Sequence, residues 1–166
     1  ATPRSSLTCW SIRKARCVAG ADQTILEQLA VCGLVTDEPV VWQSRRGALY
    51  QQALDRLVAQ GLAYPCACSR SDIEAAWARQ GVERGRHTEL VYPGTCRHID
   101  PSEAARRAAT GEPAVVRLRV PAGREVSFDD IVRGPVTFHT DVIGDPVLVR
   151  SDGVPAYNFA VVIDDA

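Results

Sequence analysis

Lysine is almost missing from this chain: of 19 basic residues only Lys14 carries an ammonium group. Positive charge is therefore nearly all guanidinium, the head group suited to gripping phosphates and carboxylates bidentately, although a GC-rich coding bias is the plainer source. There is no excess of either sign. The net charge of −1 gives no global reason to bind nucleic acid or a membrane surface. No apolar run approaches the roughly 20 residues of a membrane helix, and no hydrophobic signal segment opens the sequence. Phosphate-loop and dinucleotide fingerprints are both absent, and no serine or cysteine sits in a nucleophile elbow. Six cysteines would suit a small secreted scaffold, but this chain is neither short nor secreted-looking. A reducing, cytoplasmic setting and a monomeric chain are the expectations.

The 166 residues, 46% of them hydrophobic, suffice for one ordinary domain or part of a larger one. Residues 1–20 hold no acidic side chain and are rich in Arg and Ser. They read either as an organellar transit segment or, preferred here, as a truncated or misframed start. From Ala21 the pattern becomes regular. Ile25, Leu26, Leu29 and Ala30 recur at helical spacing before Gly33, and Cys32 is expected as a small buried hydrophobe. Leu49, Ala53, Leu54, Leu57 and Val58 give a second helix stopped by Gly61. Leu62–Pro65 predicts a short strand, and Ser71 with Glu74 predicts the cap of a third helix. A polar loop over Gln80–Glu89 and a short helix over Pro101–Thr110 follow.

Beyond residue 114 the period changes to that of strands. Val116, Leu118 and Val120 share one face while Arg117 and Arg119 share the other. Val126–Phe128, Val136–His139 and Pro146–Arg150 continue as short strands between turns, and 157–165 is strand or helix.

The chemistry concentrates in two turns. Tyr64-Pro-Cys66-Ala-Cys68-Ser-Arg70 places two sulfurs one residue apart, and Tyr92-Pro-Gly-Thr-Cys96-Arg-His98 adds a third sulfur with a phenol and an imidazole nearby. Thiolate with nitrogen or phenolate oxygen suits Zn²⁺ better than hard cations, which prefer oxygen shells. His139, inside a strand-like segment, reads as structural, and Asp164-Asp165 as solvated or capping acids. Arg84 and Arg86 read as a solvated loop that could alternatively touch a polynucleotide backbone.

Several ordered blocks carry a resemblance. Trp42-Gln-Ser-Arg45, the two cysteine turns, Val116-Arg-Leu-Arg-Val120 and Ala156-Tyr-Asn-Phe-Ala-Val-Val-Ile-Asp-Asp165 resemble the catalytic core of the glutamyl-tRNA synthetase superfamily. Within it, Trp42-Gln-Ser44 and Gly85–Cys96 most resemble the branch that attaches glutamate to the queuosine base of tRNA(Asp). The resemblance covers residues 15–166 and sets 1–14 apart as an unmatched segment. It implies an α/β fold: a partial Rossmann-type class I synthetase core with a zinc-bearing insertion at about 63–98. It further implies a structural Zn²⁺ held by Cys66, Cys68, Tyr92 and Cys96. His98 is the competing fourth ligand, since related synthetases close a similar site with Cys-x-His. Tyr157 matches a tyrosine that lines the family's glutamate pocket; its other reading is a core aromatic. No catalytic residue is carried over.

Implied substrates are glutamate, ATP and tRNA(Asp), with glutamate activated as its adenylate before transfer to RNA. Two alternatives stand beside this: part of an ordinary glutamyl-tRNA synthetase, and a non-catalytic, zinc-stapled RNA-binding module. The family's histidine-bearing and lysine-bearing ATP loops have no counterpart in these 166 residues, and Trp10 stands where the family has a glutamate. The isolated chain is therefore expected to be inactive. Glutamate-dependent ATP–pyrophosphate exchange by the purified chain should stay at background, and exchange above it would contradict the expectation.

Overall fold

The computed structural model describes residues 20–34, 38–81, 91–100, 102–103, 106–107, 111 and 113–166. Residues 1–19 and most of the arginine-rich loop, with Arg84, Arg86 and His87, lie outside them. The chain divides into two compact units, Ala1–Leu49 and Tyr50–Ala166.

In the first unit, helix α1 (Ala21–Val31) ends where the sequence marks it. Leu34 N donates to Leu29 O at 2.9 Å and Gly33 N to Ala30 O at 3.0 Å. This paired closure needs a left-handed residue, supplied by Gly33 at φ 75°. The apolar face is present but buries none of its residues. Cys32 is exposed, contrary to expectation. Periodicity registers a face, whereas burial also requires a surface lying over it.

A 3₁₀ turn (Gln43–Arg45) precedes α2 (Gly47–Ala59), which buries Tyr50 and Leu54. Leu57 O accepts from Leu62 N at 2.8 Å as the helix closes around Gly61. Strand β1 (Ala63–Cys66) follows directly. Helix α3 (Arg70–Arg79) is capped two residues before the expected position: Ser69 accepts from Asp72 N, and the Asp72 carboxylate accepts from Ser69 N at 2.8 Å. Two overlapping Ser-x-x-acid patterns, Ser69/Asp72 and Ser71/Glu74, compete here. The earlier one wins because the turn after Cys68 delivers Ser69 in the extended backbone (φ −70°, ψ 169°) that a cap requires. Of the helix expected over Pro101–Thr110, Ser102, Glu103, Arg106 and Arg107 are described and helical.

Strands β2 (Val115–Leu118) and β5 (Val147–Val149) join β1 in a three-stranded sheet of order β1-β2-β5. Strands β3 (Glu125–Asp130) and β4 (Gly134–His139) form a separate hairpin, and α4 (Tyr157–Asp164) closes the chain. The segment left open between strand and helix is thus helical. The fold is mixed α/β. Every ladder among the described residues is antiparallel, rather than the parallel pairing of a Rossmann core. The first strand of the sheet turns straight into α3, and the chain re-enters the sheet in the opposite direction at β2.

Pro65 stands opposite Val116 on edge strand β1, a position where a missing N–H is tolerated. Leu148, Phe159 and Ala160 are buried where α4 meets β5, and Tyr50 OH donates to the Asp164 carboxylate at 2.9 Å, tying α2 to α4. Ser69→Ala should lower stability by about 1 kcal/mol in urea unfolding, while Ser71→Ala should change it by less than half of that.

Candidate metal centre

Strand β1 alternates so that Tyr64 and Cys66 point inward while Pro65 is exposed. The strand ends at Cys66, and the short turn into the Ser69 cap brings Cys68 back beside it. The second turn is held from two sides. Trp77 Nε1, on α3, donates to Val91 O at 2.9 Å. Gly144 (φ 64°) lies so near that any Cβ there would collide with the Val91 side chain. Gly94, at φ 76°, then reverses the chain, letting Arg97 N donate to its carbonyl at 2.9 Å.

These turns bring Cys66, Cys68 and Cys96 together, with their sulfurs all within 4.8 Å of one another. Cys68 Sγ lies 3.3 Å from Cys96 Sγ, and all three are free thiols. The Tyr92 hydroxyl closes the group, 3.2 Å from Cys66 Sγ and 3.7 Å from Cys68 Sγ, while accepting from Cys96 N at 2.9 Å. Ligands about 2.0–2.3 Å from a tetrahedral zinc ion are separated by roughly 3.3–3.8 Å. The donor set and its spacing therefore fit such an ion. His98 is exposed and is not among the clustered ligands. Of the two alternatives for a fourth donor, Tyr92 is the one the fold brings to the sulfurs.

Around the cluster lies a partly buried apolar shell. Tyr64, Cys66 and Cys96 are buried, with Ile99 and Val115 packed against them. Burial pushes the Cys68 thiol up to about 12, reinforced by its contact with Cys96. Burial also opposes ionisation of Cys66, but hydrogen bonds from Tyr92 and Arg117 outweigh it and hold that thiol below its ordinary value. Tyr92 is raised, first by burial and then by its bond to Cys66. Cation binding would reverse the preference of the raised groups and release their protons.

Three neighbours of the site were not legible as functional in the sequence: Asp145, Arg97 and Arg117. Asp145 is 3% exposed. Its carboxylate accepts from Tyr64 OH at 2.6 Å, from Val120 N at 2.9 Å and from the Arg97 guanidinium, which also donates to Val120 O at 2.7 Å. Arg117 lies with its Cζ 3.8 Å from the Tyr92 ring centroid, and Arg119 lies 4.9 Å from that of Tyr64. The alternation of β2 identified these two arginines only as its polar face. Asp145 sits in Gly144-Asp-Pro146, which carries a turn signal and nothing more.

The remaining sequence candidates stay apart. Tyr157 starts α4 and is 74% exposed, so it is no core aromatic. His139 Nδ1 lies 3.0 Å from Asp141 on the surface, and Asp164 accepts from Tyr50. No helix among the described residues is long and apolar enough to cross a membrane.

Burial raises the Asp145 pKa, but its hydrogen bonds from Tyr64 and Arg97 outweigh this and hold it below the usual carboxylate value. Its stabilisation is therefore complete above an unfolded pKa of about 3.9 and is lost as pH falls through the lower folded value. Asp145→Ala should cost about 3–5 kcal/mol at neutral pH by urea unfolding, because Arg97 and Tyr64 lose their shared acceptor. The variant's stability should also lack this acid-side decline.

Comparison with known proteins bears on the whole chain. The profile of the class I tRNA synthetase (E and Q) catalytic domain matches residues 13–166. A glutamyl-Q tRNA(Asp) synthetase of Albidiferax ferrireducens is 48% identical, covering 91% of this chain and 53% of its own length. A glutamate–tRNA ligase of Lysinibacillus sphaericus is 40% identical over 90% of this chain and 32% of its own. Among solved structures, the glutamate tRNA ligase of Elizabethkingia meningosepticum, crystallised in complex with its amino acid, superposes with a TM-score of 0.73. It is 27% identical and covers 90% of this chain and 32% of that one. The chain spans about half the length of the glutamyl-Q relatives and a third of the ligases. Its sequence and its mixed α/β fold agree: the chain belongs to the family of class I tRNA synthetase (E and Q) catalytic domains.

Proposed function

We propose that the protein to which this chain belongs activates glutamate with ATP and transfers it to the queuosine base of tRNA(Asp). In the first step the glutamate carboxylate attacks the α-phosphorus, and pyrophosphate leaves with the electrons of the broken P–O bond. In the second a hydroxyl of the RNA base takes the glutamyl group and AMP leaves. The observation that carries this reading is the 48% identity with a glutamyl-Q tRNA(Asp) synthetase over nine-tenths of the chain. Identity of 40% to a glutamate–tRNA ligase supports the ordinary synthetase as second reading.

Within the reading, residues 15–166 are part of a Rossmann-type catalytic core, and about 63–98 form a metal-bearing insertion. Cys66, Cys68, Cys96 and Tyr92 would hold Zn²⁺. Four protein ligands leave no open position, so the ion would fasten the two turns rather than act on substrate. Tyr157, exposed at the start of α4, would line the glutamate pocket. The reaction is placed in the cytoplasm and the working unit is a monomer.

Charging assays with the complete gene product test the acceptor. Labelled glutamate should enter queuosine-containing tRNA(Asp) and not tRNA(Glu); the reverse result selects the ordinary synthetase. The chain purified from zinc-supplied medium should carry about one Zn²⁺ by elemental analysis, and Cys66→Ala/Cys68→Ala should carry none. Unchanged metal content in the double variant would remove these ligands from the reading.

A further inference from the structure

Three sulfur ligands already exceed the charge of a divalent ion. Thiolates at Cys66, Cys68 and Cys96 would leave a zinc site with a net negative charge, beside the buried Tyr64 and the partly buried Ile99 and Val115. A buried charge of this kind needs an opposite one nearby. Arg117 is in position to provide it.

Arg117 occupies the register position opposite Tyr64 on β2, two residues along β1 from Cys66. Its guanidinium stacks at 3.8 Å over the ring of Tyr92, the phenol that touches two of the sulfurs. On its other side, Nη1 donates to the backbone carbonyl of Asp145 at 2.9 Å. The Asp145 carboxylate is meanwhile committed to Tyr64, Arg97 and the Val120 amide. Arg117 therefore meets Asp145 through a neutral group and does not share the Arg97 carboxylate. Its Nε is buried without a hydrogen-bond partner. A buried donor left idle is costly unless another interaction compensates it.

We propose that Arg117 is the positioning residue of the metal site: it offsets the charge of the sulfur ligands and holds the Tyr92 ring against them. This rests on the zinc reading above. Arg119 makes the contrast. It also stacks on a tyrosine, Tyr64, but the hydroxyl of that ring donates to Asp145 rather than meeting the sulfurs, and Arg119 itself donates to the backbone carbonyls of Gly61 and Arg97. Charge compensation requires a cation at 117. Packing alone would make the two arginines equivalent.

The test uses the 166-residue chain with Zn²⁺ and with Co²⁺ as a spectroscopic substitute. Wild type, Arg117→Gln, Arg117→Lys and Arg119→Gln are compared by competition with a chromogenic chelator. Arg117→Gln should bind Zn²⁺ about 10–100-fold more weakly and shift the Co²⁺ absorption bands, as loss of an outer partner does. Arg117→Lys, which keeps the charge but not the planar stacking, should lose less than Arg117→Gln and stay within about tenfold of wild type. Arg119→Gln should match wild type in both readouts.

Unchanged affinity and spectrum in Arg117→Gln would overturn the proposal. So would an equal loss in Arg119→Gln, which would reveal a packing effect. If Arg117→Gln does not fold, Arg117→Lys decides, and a loss beyond about tenfold in that variant overturns the proposal. A wild-type chain that takes up no metal would instead strike at the zinc reading itself, which separates the two failures.

Discussion

The Asp145 carboxylate is the contact on which the rest of the site depends. One buried anion accepts from β1 through Tyr64, from the second cysteine turn through Arg97, and from the end of β2 through Val120 N. Each donor lies within three residues of something the sulfur cluster needs. Tyr64 is two residues before Cys66, and Arg97 follows Cys96. A carboxylate so placed is stable only while its donors stay in position. The two turns are therefore fixed in relation to each other before any ion is considered.

On that frame the sulfurs converge with little freedom. Gly144 gives up its side chain so that the loop carrying Asp145 can lie against Val91, and Gly94 reverses the backbone so that Cys96 N meets the Tyr92 hydroxyl. A closed set of four donors contributes to folding rather than to chemistry, because no position is left for water or substrate. An ion held there would fasten the two turns together.

Some of this was legible without coordinates. The cysteine turns named three thiols and two contenders for a fourth donor, and the fold brings the thiols together with one of them. The Gly33 and Gly61 helix stops followed from local backbone preference, and so did the strand periods of β2 to β5. What was misread has a common cause. Cys32 was assigned to a core because it closes an apolar helical face, but α1 buries none of its residues. Ser71 was preferred to Ser69 as a cap because the two patterns differ only in where the preceding turn ends. Arg117 was placed on the strand face opposite Val116 and Leu118, but that it stacks over the Tyr92 ring was not legible.

By itself the sequence determined the chemistry available: three thiols, a phenol and an imidazole on two turns, and the blocks that mark a class I tRNA synthetase (E and Q) core. Those are properties of residue type and spacing, which local structure carries unchanged. Tertiary structure decided which donors meet. Tyr92 reaches the sulfurs and His98 is left exposed, because Gly94 turns the backbone between them and Arg97 is pinned to Asp145. Asp145, distant in sequence and marked only as part of a turn, acquires its role because the β1-β2-β5 sheet carries Tyr64 and Val120 to it. Contacts across such separations depend on the packing of the whole unit, and no local pattern records them.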